Sequence, residues 1–449
     1  MESGGEPREL TALNTGAGEI SHRLPFLLPD GQAVLYTTAL EADSLGNAAR
    51  VGALSLTTGQ QVQLVDGWDG RYVPTGHLVF ARDGNLRAIA FDPASLTTKG
   101  AEIPLLEDVT QSLFTVNPTL RTGGVQMSFS DSGLMVYLAG SVFPEIKNTV
   151  VWVDRDGREE PVGVEPRNFF TARASEDSKS ILLTALYPPQ DIWLYDTVRK
   201  TARRQTFEGN GIYAVWGPSP EGFTFSSDLL GPRSIFTKEI DSGPSKPTLM
   251  YDGSSSYLRP SAWSQDGRFL TFVEANPDQG FDIGYLSRDG AKKIYLGTRF
   301  SEQYPEISPN GKWMLFTTNE SGRQEVYIRP FPGPGRTQQI STNGGYEPGW
   351  SPGGSEVYYR WREEFFSVRL RFDRGGNAVT VGEPEKLFEG DYGSSFAIRS
   401  YDLASNGRFL MFKRPDEATL NEAINTFFPD HIQVISNWFT EIQSKVPEQ

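Results

Sequence analysis

The sequence has no cysteine and only three histidines among its 449 residues. The missing thiols exclude disulfide bonds, thiolate nucleophiles and cysteine-based metal sites. The histidines, His22, His77 and His431, are too few and too scattered for nucleophilic catalysis, and no Gly-x-Ser-x-Gly motif occurs. We therefore predict that the protein is not an enzyme and has no catalytic residues, no metal site and no cofactor.

Long apolar runs are also missing. No stretch of 18 apolar residues occurs, and the opening MESGGEPREL lacks the basic and apolar regions of a secretory signal. We therefore expect no membrane insertion by this chain, and we expect a monomer. Acidic residues outnumber basic residues by 56 to 42, which gives a formal net charge of −14 and argues against a nucleic-acid partner.

Turn residues, by contrast, are abundant, with 46 glycines and 30 prolines. The clearest turn is Ser308-Pro309-Asn310-Gly311, which has the residues that a type I turn favours at its first, second and fourth positions. Eight looser copies occur along the chain. The last residues of the nine turns are Gly31, Gly76, Gly133, Ser178, Gly222, Gly267, Gly311, Gly354 and Gly407.

The spacing of the turns indicates the fold. Their intervals are 45, 57, 45, 44, 45, 44, 43 and 53 residues. Four strands of about five or six residues, with connections of about four to six, account for such a period. Apolar strand-like runs such as SILLTA (180–185) and WMLFTT (313–318) follow the turns. The pattern predicts an all-β fold, a β-propeller with nine four-stranded repeat units of about 45 residues each.

Two ring arrangements fit nine units. Similar insertions at 90–108 and 371–390 lie six units apart, which suggests that residues 148–449 form a six-bladed ring after three N-terminal blades at 1–147. The alternative is one ring of eight or nine blades over residues 1–449. We favour the single ring, because three separate blades would leave exposed sheet faces and edges. Helix-like sequence occurs only at 415–428 and 437–445.

The mouth of the central channel is the candidate binding site. Five polar or aromatic residues lie eight positions before the end of a turn, where innermost strands begin. Converging arginines in an acidic protein could bind a carboxylate or an acidic peptide end; alternatively, they pair with Glu302, Glu306 and Glu347 nearby. The five candidates are Arg23, Arg259, Gln303, Tyr346 and Arg399.

Several units resemble the TolB-like, WD-repeat-like propeller family. The closest copies are WSQDGRFLTF (263–272) with DIGYL (282–286), ISPNGKWMLF (307–316) with EVYIRPFPGPG (325–335), and SEDSKSILL (175–183) with DIWLYD (191–196). The sequences at 4–31 and 434–447 further resemble the C-terminal extracytoplasmic propeller region of bacterial membrane-bound serine/threonine kinases. No His-Arg-Asp or Asp-Phe-Gly kinase motif is present, so kinase activity is not carried over.

The resemblance implies a non-enzymatic propeller scaffold that binds a protein, a peptide or a cell-envelope component, as the sensor or interaction region of a bacterial signalling protein. It also implies an extracytoplasmic or periplasmic location. Two alternatives stay open: a propeller-type hydrolase or lyase with an active site at the channel mouth, and a structural fragment of a larger kinase-linked protein.

Overall fold

The computed structural model describes residues 8–40, 49–82, 84–112, 122–140, 146–186, 190–208, 210–219, 221–230, 233–240, 246–253, 258–276, 280–394, 398–427 and 431–446. Antiparallel β-sheets dominate these residues, as the sequence predicted. The chain divides into two compact units. Unit 1 comprises residues 1–145 and 419–449, and unit 2 comprises residues 146–418.

Unit 1 contains three antiparallel sheets. The first holds β1 (Glu19–Leu27), β2 (Ala33–Leu40), β3 (Ala49–Ser55) and β4 (Gln61–Asp66). The second holds β5 (Trp68–Val73), β6 (His77–Arg82), β7 (Asn85–Asp92) and β8 (Thr97–Leu106). In the third, β9 (Met127–Phe129) and β10 (Met135–Tyr137) pair with a strand from the far end of the chain, β36 (Gln433–Ile435).

Helices are short. A 3-10 helix spans Thr15–Ala17, α1 spans Glu417–Phe427 and α2 spans Trp438–Lys445, so both predicted helical stretches are confirmed. The α2 helix is part of the core of unit 1. Trp438 and Ile442 are buried among Val79, Met127 and other apolar residues of the second and third sheets.

Unit 2 contains six sheets, and five of them are formed by strands consecutive in sequence. The strands are β13 (Phe169–Ala174), β14 (Ser180–Ala185), β15 (Asp191–Asp196) and β16 (Thr201–Arg204); β17 (Ile212–Trp216), β18 (Gly222–Ser227), β19 (Ser234–Glu239) and β20 (Thr248–Tyr251); β21 (Leu258–Trp263), β22 (Phe269–Asn276), β23 (Gly280–Ser287) and β24 (Lys292–Leu296); β25 (Glu302–Ile307), β26 (Trp313–Thr318), β27 (Glu325–Pro330) and β28 (Gln338–Gln339); and β29 (Tyr346–Trp350), β30 (Glu356–Trp361), β31 (Glu364–Phe372), β32 (Val379–Val381) and β33 (Glu385–Glu389).

The sixth sheet, which we call the closing sheet, joins strands from the two ends of unit 2. Its order is β12 (Glu159–Pro161), β11 (Thr149–Val153), β35 (Phe409–Lys413) and β34 (Asp402–Leu403). Val151 faces Met411 in the antiparallel register of β11 and β35. We call β34, β13, β17, β21, β25 and β29 the inner strands. Each inner strand packs against the next in this order, and β29 packs against β34.

The turns before the second strands have a common hydrogen-bond pattern. Ser308 Oγ donates to Asn310 Oδ1 at 2.7 Å and accepts from the backbone N–H of Trp313 at 3.0 Å. The N–H of Gly311 donates to Ser308 O at 2.8 Å, and the φ of Gly311 is 72°, which glycine adopts without strain. The turns that begin at Ser175 and Ser264 make the same three kinds of bond.

Removing the indole of Trp438 should weaken unit 1 selectively. The ring is buried and stacks on Phe129 with centroids 5.1 Å apart, so Trp438→Ala leaves a large cavity that costs about 3–5 kcal/mol. Hydrogen exchange should show faster opening of β5–β10, with β13–β31 unchanged. Phe207→Ala, which removes an exposed ring, is the control. Equal effects of the two variants would contradict the assigned core.

An ion pair at the closing sheet should make stability depend on pH. Arg155 donates to both carboxylate oxygens of Glu356, at 2.7 and 2.9 Å, and this bonding lowers the pKa of Glu356 from 4.5 to about 2. Because the folded pKa lies below the unfolded one, the pair stabilises the fold above pH 4.5, and this contribution disappears as the pH falls towards 2.

Urea denaturation of the wild type and Glu356→Gln between pH 2 and 7 tests this dependence. The difference in unfolding free energy between the two proteins should be largest near neutral pH and shrink below pH 4.5. Glu221→Gln, at an exposed position, should show no such trend. A difference that stays constant across the range would rule out the ion pair as its cause.

Candidate functional site

The inner strands of unit 2 are irregular at their centres. Their pairing with the second strands shifts register between Ile212 and Val215, between Gln303 and Glu306, and between Tyr346 and Gly349. Tyr213, Tyr304 and Glu347 lie inside these shifts with φ values of 58°, 56° and 54°. Such left-handed conformations are costly for non-glycine residues, and bulges of this kind redirect side chains at sites where strands converge.

Below the bulges lies a layer of charged and small residues. It is formed by the residues five positions before the end of each turn, one from each inner strand or its immediate neighbour. We call these residues, together with the Arg399 that pairs with two of them, the charged layer: Arg173, Gly217, Ala262, Glu306, Gly349, Asp402 and Arg399.

Arg399 connects the two acids of the charged layer. Its Nη1 donates to Glu306 Oε2 at 2.5 Å, and its Nη2 donates to Asp402 Oδ1 at 2.9 Å. Burial alone would lower the pKa of Arg399, but the carboxylates of Glu306 and Asp402 reverse this, so its pKa is raised. A methyl group on Gly349 would lie 2.6 Å from Nη1 of Arg399, so glycine leaves the space that the guanidinium occupies.

The acids also bond to the backbone of the next sheet. Glu306 accepts from the N–H of Trp350 at 3.2 Å, and Asp402 accepts from the N–H of Ala174 at 2.8 Å. Glu347 accepts from the N–H of Ser400 at 2.9 Å. Each carboxylate therefore accepts a hydrogen bond from a backbone N–H group of a neighbouring segment, and so satisfies a donor that would otherwise need another partner.

Arg173 is the second cation of the charged layer and is held differently. Its guanidinium donates to three backbone oxygens, those of Ala172 at 2.8 Å, Tyr401 at 3.4 Å and Arg399 at 2.6 Å. Across the described part of the chain, no carboxylate lies within 4.0 Å of it. Burial and the nearby Arg399 lower the pKa of Arg173 to about 10, although Asp402 opposes this effect.

A cavity opens between the inner strands at this level. Its volume is about 10 Å³, which is room for one water-sized group such as a single oxygen atom, and it opens to solvent. Polar groups face the apolar surface of two prolines, and the lining includes Arg173, Ser261, Tyr304, Glu306, Pro348 and Arg399.

Three of the residues predicted from the sequence lie together at the start of neighbouring inner strands. Arg259 is on β21, Gln303 on β25 and Tyr346 on β29, and we call these three the rim residues. The Arg259 guanidinium lies 4.7 Å from the ring centre of Phe281 and 6.0 Å from that of Tyr213.

The other two predicted residues lie elsewhere. Arg399 belongs to the charged layer rather than to the rim, and it pairs with Glu306 as the alternative interpretation expected. Arg23 lies on β1 of unit 1, where its Nε donates to Ser21 Oγ at 2.5 Å.

Sequence reasoning missed Arg173 and Asp402, and it named Glu306 only as a possible partner of the arginines. A signal existed, because these residues recur five positions before the end of a turn. The prediction used an offset of eight, and the intervening bulges change which side chains point inwards.

The structure gives no sign of a metal centre or a membrane span in the residues it describes. No group of three or more histidine, aspartate or glutamate side chains is arranged to hold a metal ion among them. Within the same residues, no helix is long and apolar enough to cross a bilayer. All three histidines of the sequence belong to unit 1.

Comparison with known proteins gives partial matches. No family model matches the chain. Over 180 residues it is 27% identical to an uncharacterized protein of Agrobacterium fabrum, which covers 37% of this chain and 59% of that protein. Over 167 residues it is 25% identical to the Tol-Pal system protein TolB of Helicobacter pylori, which covers 35% of this chain and 36% of TolB.

Among solved structures, one from Agrobacterium tumefaciens, provisionally described as TolB, aligns with a TM-score of 0.48 at 19% identity, covering 60% of this chain and 99% of that one. The matched regions thus span between about a third and three fifths of the curated relatives. The sequence relative named TolB confirms the predicted TolB-like resemblance. The closer resemblance to kinase-linked propellers stays a prediction.

Removing Arg399 should destabilise unit 2 strongly. Arg399→Met leaves the buried carboxylates of Glu306 and Asp402 without their cation, which costs about 3–5 kcal/mol. Adding Glu306→Gln to this variant should restore part of the loss, because one uncompensated charge disappears. Arg259→Met, which removes a guanidinium that lies near the rings of Phe281 and Tyr213, should cost less, about 1 kcal/mol. Urea denaturation measures all three variants, and equal losses for Arg399→Met and Arg259→Met would contradict the assigned roles.

Proposed function

We propose that this chain, a relative of the TolB-like β-propeller proteins, is a non-enzymatic scaffold that binds a protein or peptide at the channel mouth of unit 2. The observation that carries the proposal is the alignment of the rim residues Arg259, Gln303 and Tyr346 at the start of three successive inner strands. Together they present a cation, an amide and a phenol side by side, which suits the polar and aromatic groups of a peptide.

The proposal includes a six-bladed ring for unit 2. Each of the six inner strands has two inner-strand neighbours, and the closing sheet combines residues 149–161 with residues 402–413. No further sheet is needed to cover an open face, because the apolar residues of the closing sheet pack with Tyr358 and Phe365 of its neighbour. We therefore prefer the six-bladed alternative to a single ring of eight or nine blades.

The rim is suited to recognition because its geometry is fixed by packing. Arg259 lies over Phe281 and beside Tyr213, and the phenol of Tyr346 lies 5.9 Å from the indole of Trp361 in an edge-to-face contact. Side chains restrained in this way lose little conformational entropy when a partner binds. For Arg23 we propose a corresponding binding role on β1 of unit 1.

The resemblance to kinase-linked propellers supports two further proposals. The scaffold acts outside the cytoplasm, and it serves as the sensor or interaction region of a bacterial signalling protein whose partner is a protein, a peptide or a cell-envelope component.

Selection from a random peptide display library on the immobilised full chain tests the binding role. We expect enriched peptides to bind wild-type protein in fluorescence anisotropy, and Arg259→Glu and Tyr346→Ala to weaken binding at least about tenfold, the effect of losing one good contact. The same peptides incubated with the protein should be recovered intact.

The matched control is Arg336→Glu, which makes the same charge change at an exposed position in the loop between β27 and β28. It should leave the affinity unchanged. Equal losses for Arg259→Glu and Arg336→Glu would show a general charge effect, and a failure to enrich any peptide, or cleavage of the peptides, would reject the proposal.

A further inference from the structure

We propose that the cavity at the charged layer of unit 2 is a carboxylate-binding site, in which Arg173 and Ser261 receive the carboxylate of a peptide. This inference rests on the proposed peptide-binding function and specifies the chemical group that enters the channel below the rim. It concerns residues that the sequence analysis did not select.

The free donors of Arg173 are the first reason. The guanidinium has five N–H groups, and its three hydrogen bonds to backbone oxygens use Nη1 and one hydrogen of Nη2. Among the described residues, Nε–H and the second N–H of Nη2 have no acceptor. Nε and Nη2 together form one edge of the guanidinium, and such an edge can bind a carboxylate through two parallel hydrogen bonds.

Burial makes these free donors significant. Arg173 is only 6% exposed and lines the cavity. A buried guanidinium without a carboxylate partner is costly, whereas a paired one is compensated. The backbone oxygens hold the side chain in one position, so a ligand would meet donors that are already oriented.

The nearby carboxylates bond to groups other than Arg173, and this is the second reason for expecting an anionic ligand there. Glu306 and Asp402 are both bonded to Arg399. Glu347 bonds to the N–H and the hydroxyl of Ser400. Arg173 is therefore the cation in this layer that has no side-chain carboxylate beside it within the described residues.

Ser261 supplies the third polar group. Its residue lines the same cavity, and its buried Oγ has no hydrogen-bond partner among the residues that the structure describes. A hydroxyl can donate to a carboxylate oxygen, so a ligand that bonds to Arg173 could also satisfy this group. Ala262, a small member of the charged layer, lines the cavity beside Ser261 and takes up little of its space.

Three acetylated peptides separate the sources of the carboxylate. Ac-Ala-Ala with a free C-terminus tests a terminal carboxylate, Ac-Ala-Asp-Ala-amide tests a side-chain carboxylate, and Ac-Ala-Ala-amide has none. Saturation-transfer NMR and calorimetry on the full chain should show binding of at least one carboxylate peptide and at least tenfold weaker binding of the amide.

Two substitutions locate the site. Arg173→Lys keeps the charge but loses the planar fork, and it should reduce carboxylate affinity at least tenfold. Ser261→Ala should reduce it several-fold without affecting the fold, which provides a test if Arg173→Lys fails to fold. Arg336→Gln, in the exposed loop between β27 and β28, should leave the affinity for these short peptides unchanged.

The outcomes distinguish this inference from the proposed function. If display-selected peptides still bind at the rim but their acid and amide forms bind equally, or Ser261→Ala and Arg173→Lys have no effect, the carboxylate site is wrong and the scaffold role survives. If no peptide binds in any form, both fail.

Discussion

The structure of unit 2 depends on hydrogen bonds from the backbone of one sheet to a carboxylate on the neighbouring inner strand. Glu306 and Asp402 each accept an N–H from the next sheet in the succession, and Glu347 accepts the N–H of Ser400, which lies just before β34. Where inner strands converge, their free edges can neither pair with another strand nor be fully hydrated, so side chains must satisfy them. The carboxylates do so, and Arg399 then compensates two of the buried charges. Glycine at position 349 follows from this arrangement, because the guanidinium occupies the space beside it.

The repeated turns and the strands that follow them could be predicted from the sequence, because their causes are local. Ser308, Asn310 and Gly311 form a closed set of hydrogen bonds within six residues, and any chain segment with those residues favours the same turn. The apolar runs after the turns are equally local signals, and so are the helices at 417–427 and 438–445. The pairing of β11 with β35 is different, since about 260 residues separate the two strands. Neither strand has a local sequence signal that identifies its partner, because the pairing depends on how the two strands fit and become buried in the folded unit.

The candidate site was predicted only in part for a related reason. Counting residues back from the turn identified the inner strands correctly and placed Arg259, Gln303 and Tyr346 on three of them. It could not reveal that Tyr213, Tyr304 and Glu347 adopt left-handed conformations, because that strain is imposed by neighbouring sheets and not by the residues themselves. Each bulge shifts the register, and so it changes which face of the sheet the following side chains lie on. Arg399 therefore lies among carboxylates, and Arg173 lines the cavity instead.

The two arginines of the charged layer show why position alone does not make a binding residue. Arg399 has a raised pKa and two carboxylate partners, so a ligand would have to displace existing ion pairs to reach it. Arg173 is equally fixed, but it is fixed by backbone oxygens, which orient a guanidinium without neutralising it. The free-energy cost of removing the Arg173 guanidinium from water has already been met during folding. An anion that binds beside it therefore gains the electrostatic attraction without adding that cost. A cavity with one cation oriented by carbonyl oxygens therefore suits the binding of an anion.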